Sequence, residues 1–466
     1  MKIKAKDGSK VSAAEQFGYF CGDFGGSMVN LYISVFYLVF CTYVLGMSTK
    51  FMAGLFLVAR VWDAVNDPMI GSLPDRFTLG KSGDKFKPWV RVFIIPLAVS
   101  GLLCFANVSG FPDLFKHIWV SAVYIFYGMA YTGTSMPYGA MASVITDDPI
   151  ERTKLSRARA FGGMGVGLLY IPIVNLVIWD KQGNPNSSGY FLMAIVSGLA
   201  SIVFYSLMLK LSKERIHQDK KYAKDAKTSY SFFRVVKEVF TNRAMVGLMV
   251  ATIGALFGAS QSMSSYVYKE FYHDPRAMAW GAIIGLPAML LSFFLVPKLA
   301  KKLGSRKLIL FASIYTIVLY TVLYVVVIPN VYAFMMINSL AGLGLTSFTM
   351  VTWSLATEAI DYQEYKTGDR SDGTMYSMYQ FSRKIGTAVV SSLTTALIGV
   401  AGYVSGAATQ APGFGDSIRR YMMALPVIGA VVMLIGIGLI FPLNKKKEED
   451  MYRVLSERRK AAAKEE

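Results

Sequence analysis

Cysteine and histidine are scarce: the chain has 3 of each. Cys21, Cys41 and Cys104 lie in apolar stretches and form no CxxC pair, so they read as small packing residues rather than a disulfide or a metal site. His117, His217 and His273 are too scattered to form a ligand cluster, so no structural metal and no cofactor is expected. There is no HExxH, no GxSxG and no phosphate-binding P-loop, which argues against an enzyme. Acids are also in deficit, 30 against 48 Lys and Arg, for a net charge of +18. In a soluble chain that excess would point to nucleic acid. Here the bases sit in loops and tails between apolar runs, and no nucleic-acid-binding module is present, so no such partner is expected. The first residues, MKIKAKDGSKVSAAEQFGYF, lack a short apolar core followed by a small-residue cleavage site. They read as a cytoplasmic tail rather than a cleaved signal.

Apolar residues, by contrast, are abundant: 54% of the chain, with a mean hydropathy of +0.42. They fall in separate runs long enough to cross a hydrocarbon core of about 30 Å, and in lipid such runs must be helices. Twelve spans can be placed, near residues 17–45, 52–73, 90–108, 118–143, 160–179, 190–211, 243–265, 279–298, 307–328, 331–358, 374–402 and 421–442. The loops after the second, sixth and eighth spans and the tail after the twelfth are basic, with Arg76, Lys81, Lys220, Lys221, Lys301 and Lys445 among their residues. By the positive-inside rule these segments and both termini are cytoplasmic. The expected organisation is an N-terminal six-helix bundle over 1–211, a cytoplasmic central loop over 212–242, a second bundle over 243–442 and a charged tail over 443–466. The loop GSLPDRFTLGKSGDKFKPW from Gly71 is echoed weakly by PKLAKKLGSRKL from Pro297. Two pseudo-symmetric halves around a long central loop are the outline of the all-α, twelve-helix major facilitator fold.

Ionisable groups inside spans cost about 2.5–3.5 kcal/mol each on insertion scales and are usually functional. Asp23 lies in the first span, Arg60, Asp63 and Asp67 in the second, Arg159 in the fifth, Glu358 at the end of the tenth, and Arg383 and Lys384 in the eleventh. Positions 60, 63 and 67 share one helical face, with Asn66 beside them. Two carboxylates and an amide oxygen offer hard ligands to a small cation, and two close acids could instead take up a proton. Pro68 frees a backbone carbonyl one turn earlier. A purely structural reading remains, in which Asp63 and Asp67 pair with Arg60 and Lys384 to hold helices together. Trp62, Tyr131, Tyr138, Trp353, Tyr376 and Tyr379 lie near the same depth. Aromatic faces stack on the C–H face of a sugar while charges bind its hydroxyls, although each ring taken singly is more often packing.

Several motifs, in order, resemble the glycoside–pentoside–hexuronide:cation symporters, the family of melibiose permease and the glucuronide carrier. They are WDAVNDPMIG, GDKFKPW, YTGTSMPYGAMAS, ERTKLSRAR, and EAIDYQEYKTGDRSDG leading to YSMYQFSRK. The resemblance runs from about Phe17 to the C-terminal tail. It implies a symporter in the inner (plasma) membrane that imports a sugar with a monovalent cation by alternating access and works as a monomer. It implies a cation site at Asp63, Asn66, Asp67 and Thr132, and sugar-pocket positions at Asp23, Tyr131, Arg159 and Tyr379, with Lys384 between the two. Ser135 and Gly139 depart from melibiose permease, which has an acid and a tryptophan there, and argue against melibiose. Ser135 and Trp353 are kept as candidate substrate contacts. Arg383 beside Lys384 suits a carboxylate-bearing sugar, because arginine binds carboxylates bidentately. Neutral glycosides and pentosides stay open, and Asn66 favours sodium over protons. Arg60, Asp75, Arg76 and Asp361 are candidate coupling or gating residues. A lipid carrier or a non-transporting sensor on the same fold is the alternative.

Overall fold

In the computed structural model every expected span is occupied by helix. The structure describes residues 10–457 apart from 72, 78, 80–82, 147, 216–240, 259, 260, 369–371, 408, 445, 446 and 456. Most of the central basic loop therefore lies outside the described residues. We number the spans α1 to α12. The first six are α1 Ala13–Tyr43, α2 Thr49–Gly71, α3 Lys87–Cys104, α4 Asp113–Ile145, α5 (Pro149–Gly165, Val166–Tyr170 and Ile171–Ile178 in succession) and α6 Ser187–Leu211. The rest are α7 (Arg243–Phe257 and Gln261–Glu270), α8 Gly281–Leu303, α9 Ser305–Val325, α10 (Val331–Ala341 and Leu343–Thr367), α11 Asp372–Val400 and α12 (Phe414–Leu434 and Ile435–Ile440). Among the described residues the only β-type pairing is an isolated bridge between Trp179 and Pro185.

Eight of the described helical stretches are long and apolar enough to cross a membrane. The four that fall short are α2, α4, α7 and α11. α2 carries Arg60, Asp63 and Asp67, α11 carries Arg383 and Lys384, α4 is rich in tyrosine, serine and threonine, and α7 is interrupted after Phe257. Polar content in a span marks a face turned to protein or water rather than to lipid.

The chain divides into two compact units. The first holds Met1–Lys227 with Tyr268–Ala282 and Ile398–Phe414. Its centre is α1, with 72% of its apolar window buried against 33% for α5, so α1 is interior and α5 peripheral. Ser12 starts α1 with a capping box that includes Glu15. Glycines let α1 approach α6 closely: a Cβ at Gly18 would stand 2.9 Å from Leu211 Cβ, and one at Gly25 2.9 Å from Phe204 Cβ. Such small-residue contacts supply packing where lipid offers no hydrophobic drive. Two segments from the second half of the chain close one end of this unit. There the Tyr43 hydroxyl donates to Glu270 Oε1 at 2.9 Å, Lys269 Nζ sits 4.2 Å over the Tyr43 ring, and Arg276 Nη2 donates to the Leu176 carbonyl at 2.9 Å. At the other end, the Glu214 carboxylate accepts from the backbone N–H groups of Lys85, Phe86 and Lys87 at 2.6, 3.0 and 2.8 Å, capping the start of α3.

The second unit holds Thr228–Val267, Ile283–Leu397 and Gly415–Glu466. Its core joins α7, α9, α10 and α12 through Leu248, Ile309, Phe348, Leu355 and Met433. Here too glycines set the closest approach. A Cβ at Gly247 would stand 2.7 Å from Gly436 O, and one at Gly254 2.5 Å from Gly429 O. The pairs Gly18/Gly25 and Gly247/Gly254 have the same seven-residue spacing, and each joins the first span of its half to the last. The internal repeat is thus carried by packing as well as by loops. Arg306, at the start of α9, donates to the Ile437, Gly438 and Leu443 carbonyls and so satisfies the frayed end of α12. The charged tail is not wholly solvated: residues 447–455 are helical, and Met451 and Leu455 are buried in this core.

Candidate functional site

In the first unit α1, α2 and α4 surround a cavity of about 150 Å³. That is well above the roughly 10–15 Å³ one water needs, so the cavity can hold a hydrated ion. α2 turns Arg60, Asp63 and Asp67 into it, as their spacing predicts, and α4 contributes Tyr131, Thr132 and Ser135. The Thr132 hydroxyl donates to Asp67 Oδ1 at 2.8 Å, joining the two helices at the acid. Its proton committed, the hydroxyl keeps lone pairs for a cation. Arg60 Nη1 lies 3.3 Å from Asp63 Oδ2, an ion pair along one helix. Gly128 lets the Asp63 carboxylate reach α4, since a Cβ there would stand 3.0 Å from Asp63 Oδ1. Asn66 is buried, 2% exposed, and its Nδ2 has no hydrogen-bond partner among the described residues. A 180° turn of the amide would exchange donor for acceptor at that point.

A second charged cluster lies on α1, α4 and α5. Arg159 Nε donates to Asp23 Oδ1 at 3.0 Å, and the guanidinium lies 5.2 Å over the Tyr138 ring. Glycines make the space: a Cβ at Gly139 would stand 3.2 Å from Arg159 Nη1, and one at Gly163 3.0 Å from Asp23 Oδ2. Residue 139, the departure noted in the sequence, thus makes room for the arginine. Tyr131 stands between the clusters, within electrostatic range of Asp23 and Arg159 on one side and of Arg60 and Asp67 on the other.

The remaining candidates belong to the second unit or fall outside the described residues. Tyr379 is buried in the core of the second unit. On α11 the Arg383 side chain is exposed and that of Lys384 half-buried. Asp361 is buried at the end of α10 and accepts a hydrogen bond from Tyr452 of the tail. Burial, with the charges of Asp361 and Glu358, pushes the Tyr452 hydroxyl up to about 12. The side chains of Trp353, Tyr376, Asp75 and Arg76 lie outside the described residues. Trp62 lines the α1–α2–α4 cavity at 38% exposure.

Four polar contributors were not singled out from the sequence: Asn30, Ser34, Tyr124 and Tyr127, all lining the cavity. Tyr127 donates to Asn30 Oδ1 at 2.7 Å and ties α4 to α1. The signal was present. Residues 23, 27, 30 and 34 of α1 form a polar stripe at helical spacing, and residues 124, 127, 131, 135 and 138 form another on α4.

A helical protein with a polar, doubly acidic cavity inside one bundle has the outline of a transporter. The family model for MFS/sugar transport proteins matches residues 18–445. The uncharacterized symporter YnaJ of Bacillus subtilis (strain 168) is 30% identical, covering 97% of this chain and 96% of its own. The isoprimeverose transporter of Lactiplantibacillus pentosus is 27% identical, over 96% and 91%. The glucuronide carrier protein homolog of Escherichia coli (strain K12) is 23% identical, over 95% of each. The inward-open xylose transporter XylE from E. coli has the same fold, with a TM-score of 0.59 at 14% identity over 95% of this chain and 98% of that one. The chain belongs to the MFS sugar-transport family, within its glycoside–pentoside–hexuronide symporter branch, and is a multi-pass membrane protein of the twelve-helix major facilitator fold.

Proposed function

We propose that this protein imports a sugar (a glycoside, pentoside or hexuronide) together with a monovalent cation across the inner (plasma) membrane, with both termini in the cytoplasm. The observation that carries the reading is the convergence of Asp63, Asp67 and Thr132 on one cavity; Asn66, next to Asp67 in sequence, is buried but is not among the residues that line it. In this reading the cation neutralises the two acids and takes the Thr132 oxygen as a further ligand. Sodium fits an amide-containing oxygen set better than a bare proton does. Asp23 and Arg159 hydrogen-bond the sugar hydroxyls, and Tyr131 transmits cation occupancy to them, since it lines the cavity and lies within electrostatic range of both clusters. Loss of the Asp63 and Asp67 charges on cation binding also loosens the hold on Arg60, which supports a coupling role for that residue.

The test is uptake of labelled glycosides, pentosides and glucuronides into proteoliposomes under an inward sodium or an inward proton gradient. Accumulation of one sugar class with sodium is expected. No accumulation under either gradient would overturn the reading and bring the lipid-carrier or sensor alternative forward.

A further inference from the structure

A second cleft, of about 510 Å³, opens between α3 and α6, helices that contribute nothing to the acidic cavity. Its walls are Ile94, Ile95, Ile202 and Leu209, and its polar end is Arg91, Ser206 and Lys210. Arg91 stands in the second turn of α3 and Lys210 in the last turn of α6, so both cations mark the same end of the bundle. The apolar part faces outward: Ile95 is 54% exposed, and Val99 and Val203 beside it are open as well. The neighbouring ionisable groups are already engaged. Glu214 is spent on three backbone N–H groups of residues 85–87, and Lys87 pairs with Asp84. Among the described residues no carboxylate lies within ion-pair distance of Arg91 or Lys210. Two cations with no carboxylate partner among the described residues, set over an aliphatic groove, complement one amphiphile: an anion attached to a hydrocarbon chain.

We infer that the α3–α6 cleft binds an anionic phospholipid, its phosphate held by Arg91 and Lys210 with Ser206, and its acyl chain laid along Ile95 and Ile202. Arginine supplies a planar fork for the phosphate oxygens and lysine a point charge. Basic pockets between spans at the cytoplasmic side bind lipid headgroups by this chemistry. A bare reading, in which two long side chains merely reach up to the interface, predicts no preference among headgroups.

The test uses the full chain purified in a neutral detergent, with phosphatidylglycerol, phosphatidylcholine or inorganic phosphate added back. Thermal unfolding and native mass spectrometry are the readouts. Phosphatidylglycerol is expected to bind saturably and raise the unfolding temperature, with phosphatidylcholine at least tenfold weaker. The double variant Arg91→Gln/Lys210→Gln should lose that preference. The charge-keeping pair Arg91→Lys/Lys210→Arg should retain it, which separates lost recognition from misfolding. Equal binding of the two lipids, an unchanged preference in the Gln variant, or the same stabilisation by inorganic phosphate alone would each overturn the assignment.

Discussion

Replacing Thr132 by valine changes one hydroxyl to a methyl and leaves the shape of α4 intact. The hydroxyl donates to Asp67 at 2.8 Å and is buried, 5% exposed. A hydrogen bond to a charged group contributes about 1.5–3 kcal/mol. Asp67 lines a cavity with room for water, which would recover part of this, so the lower end, about 1.5 kcal/mol, applies. Valine also removes an oxygen from the proposed cation shell, which weakens a bound sodium; a proton on Asp67 would instead gain, because the lost bond favoured the charged carboxylate. The sodium concentration giving half-maximal sugar uptake should therefore rise roughly tenfold, while maximal uptake at saturating sodium changes little. Thr132→Ser keeps the hydroxyl and should stay near wild type. The assay is initial uptake into proteoliposomes as a function of sodium and of proton concentration. A valine variant with unchanged cation dependence under both would refute the reasoning.

Other consequences follow from the same geometry. Gly128→Ala puts a Cβ 3.0 Å from Asp63 Oδ1 and should weaken cation dependence in the same uptake assay, with less effect on folding. Gly162→Ala meets Phe20 O at 2.7 Å and Phe24 N at 2.9 Å, whereas Gly167→Ala meets nothing within 4 Å. Thermal unfolding should register a loss of about 1–3 kcal/mol for the first and none for the second. Asp23→Asn and Arg159→Gln should each abolish sugar binding measured by calorimetry, and the exchange Asp23→Arg/Arg159→Asp should not restore it. Restored binding would make the pair purely structural. Glu214→Ala removes the cap of α3 and should cost about 1–2 kcal/mol of stability without altering the sugar KM.

The spans were legible because lipid enforces them. Each apolar run became a helix, and even the polar α2 and α11 were recoverable from their flanking breaks and loops. The grouping of Arg60 with the candidate cation ligands Asp63 and Asp67 was readable because all three are local to one helix, where spacing fixes the face. Thr132 was nameable only through the resemblance, since its partner Asp67 lies on another helix. The glycines at 128 and 163 were not readable as site residues, and Gly139 was marked only as a departure within the resemblance: what each makes room for comes from a different span. The tail shows the same limit. It was marked only by its charge, yet Met451 and Leu455 are four residues apart and bury together in the second unit. The repeat was faint in the loops and clearer in the Gly18/Gly25 and Gly247/Gly254 contacts, which need the partner helices to be seen.

The central claim is that the acids of α2 bind the cation that drives sugar uptake. Its most direct test is simultaneous measurement of labelled sodium and labelled sugar entry into proteoliposomes, for the wild type and for Asp67→Asn. The account predicts stoichiometric co-entry in the wild type and loss of sodium-driven accumulation in the variant. Full coupled accumulation by Asp67→Asn would contradict it.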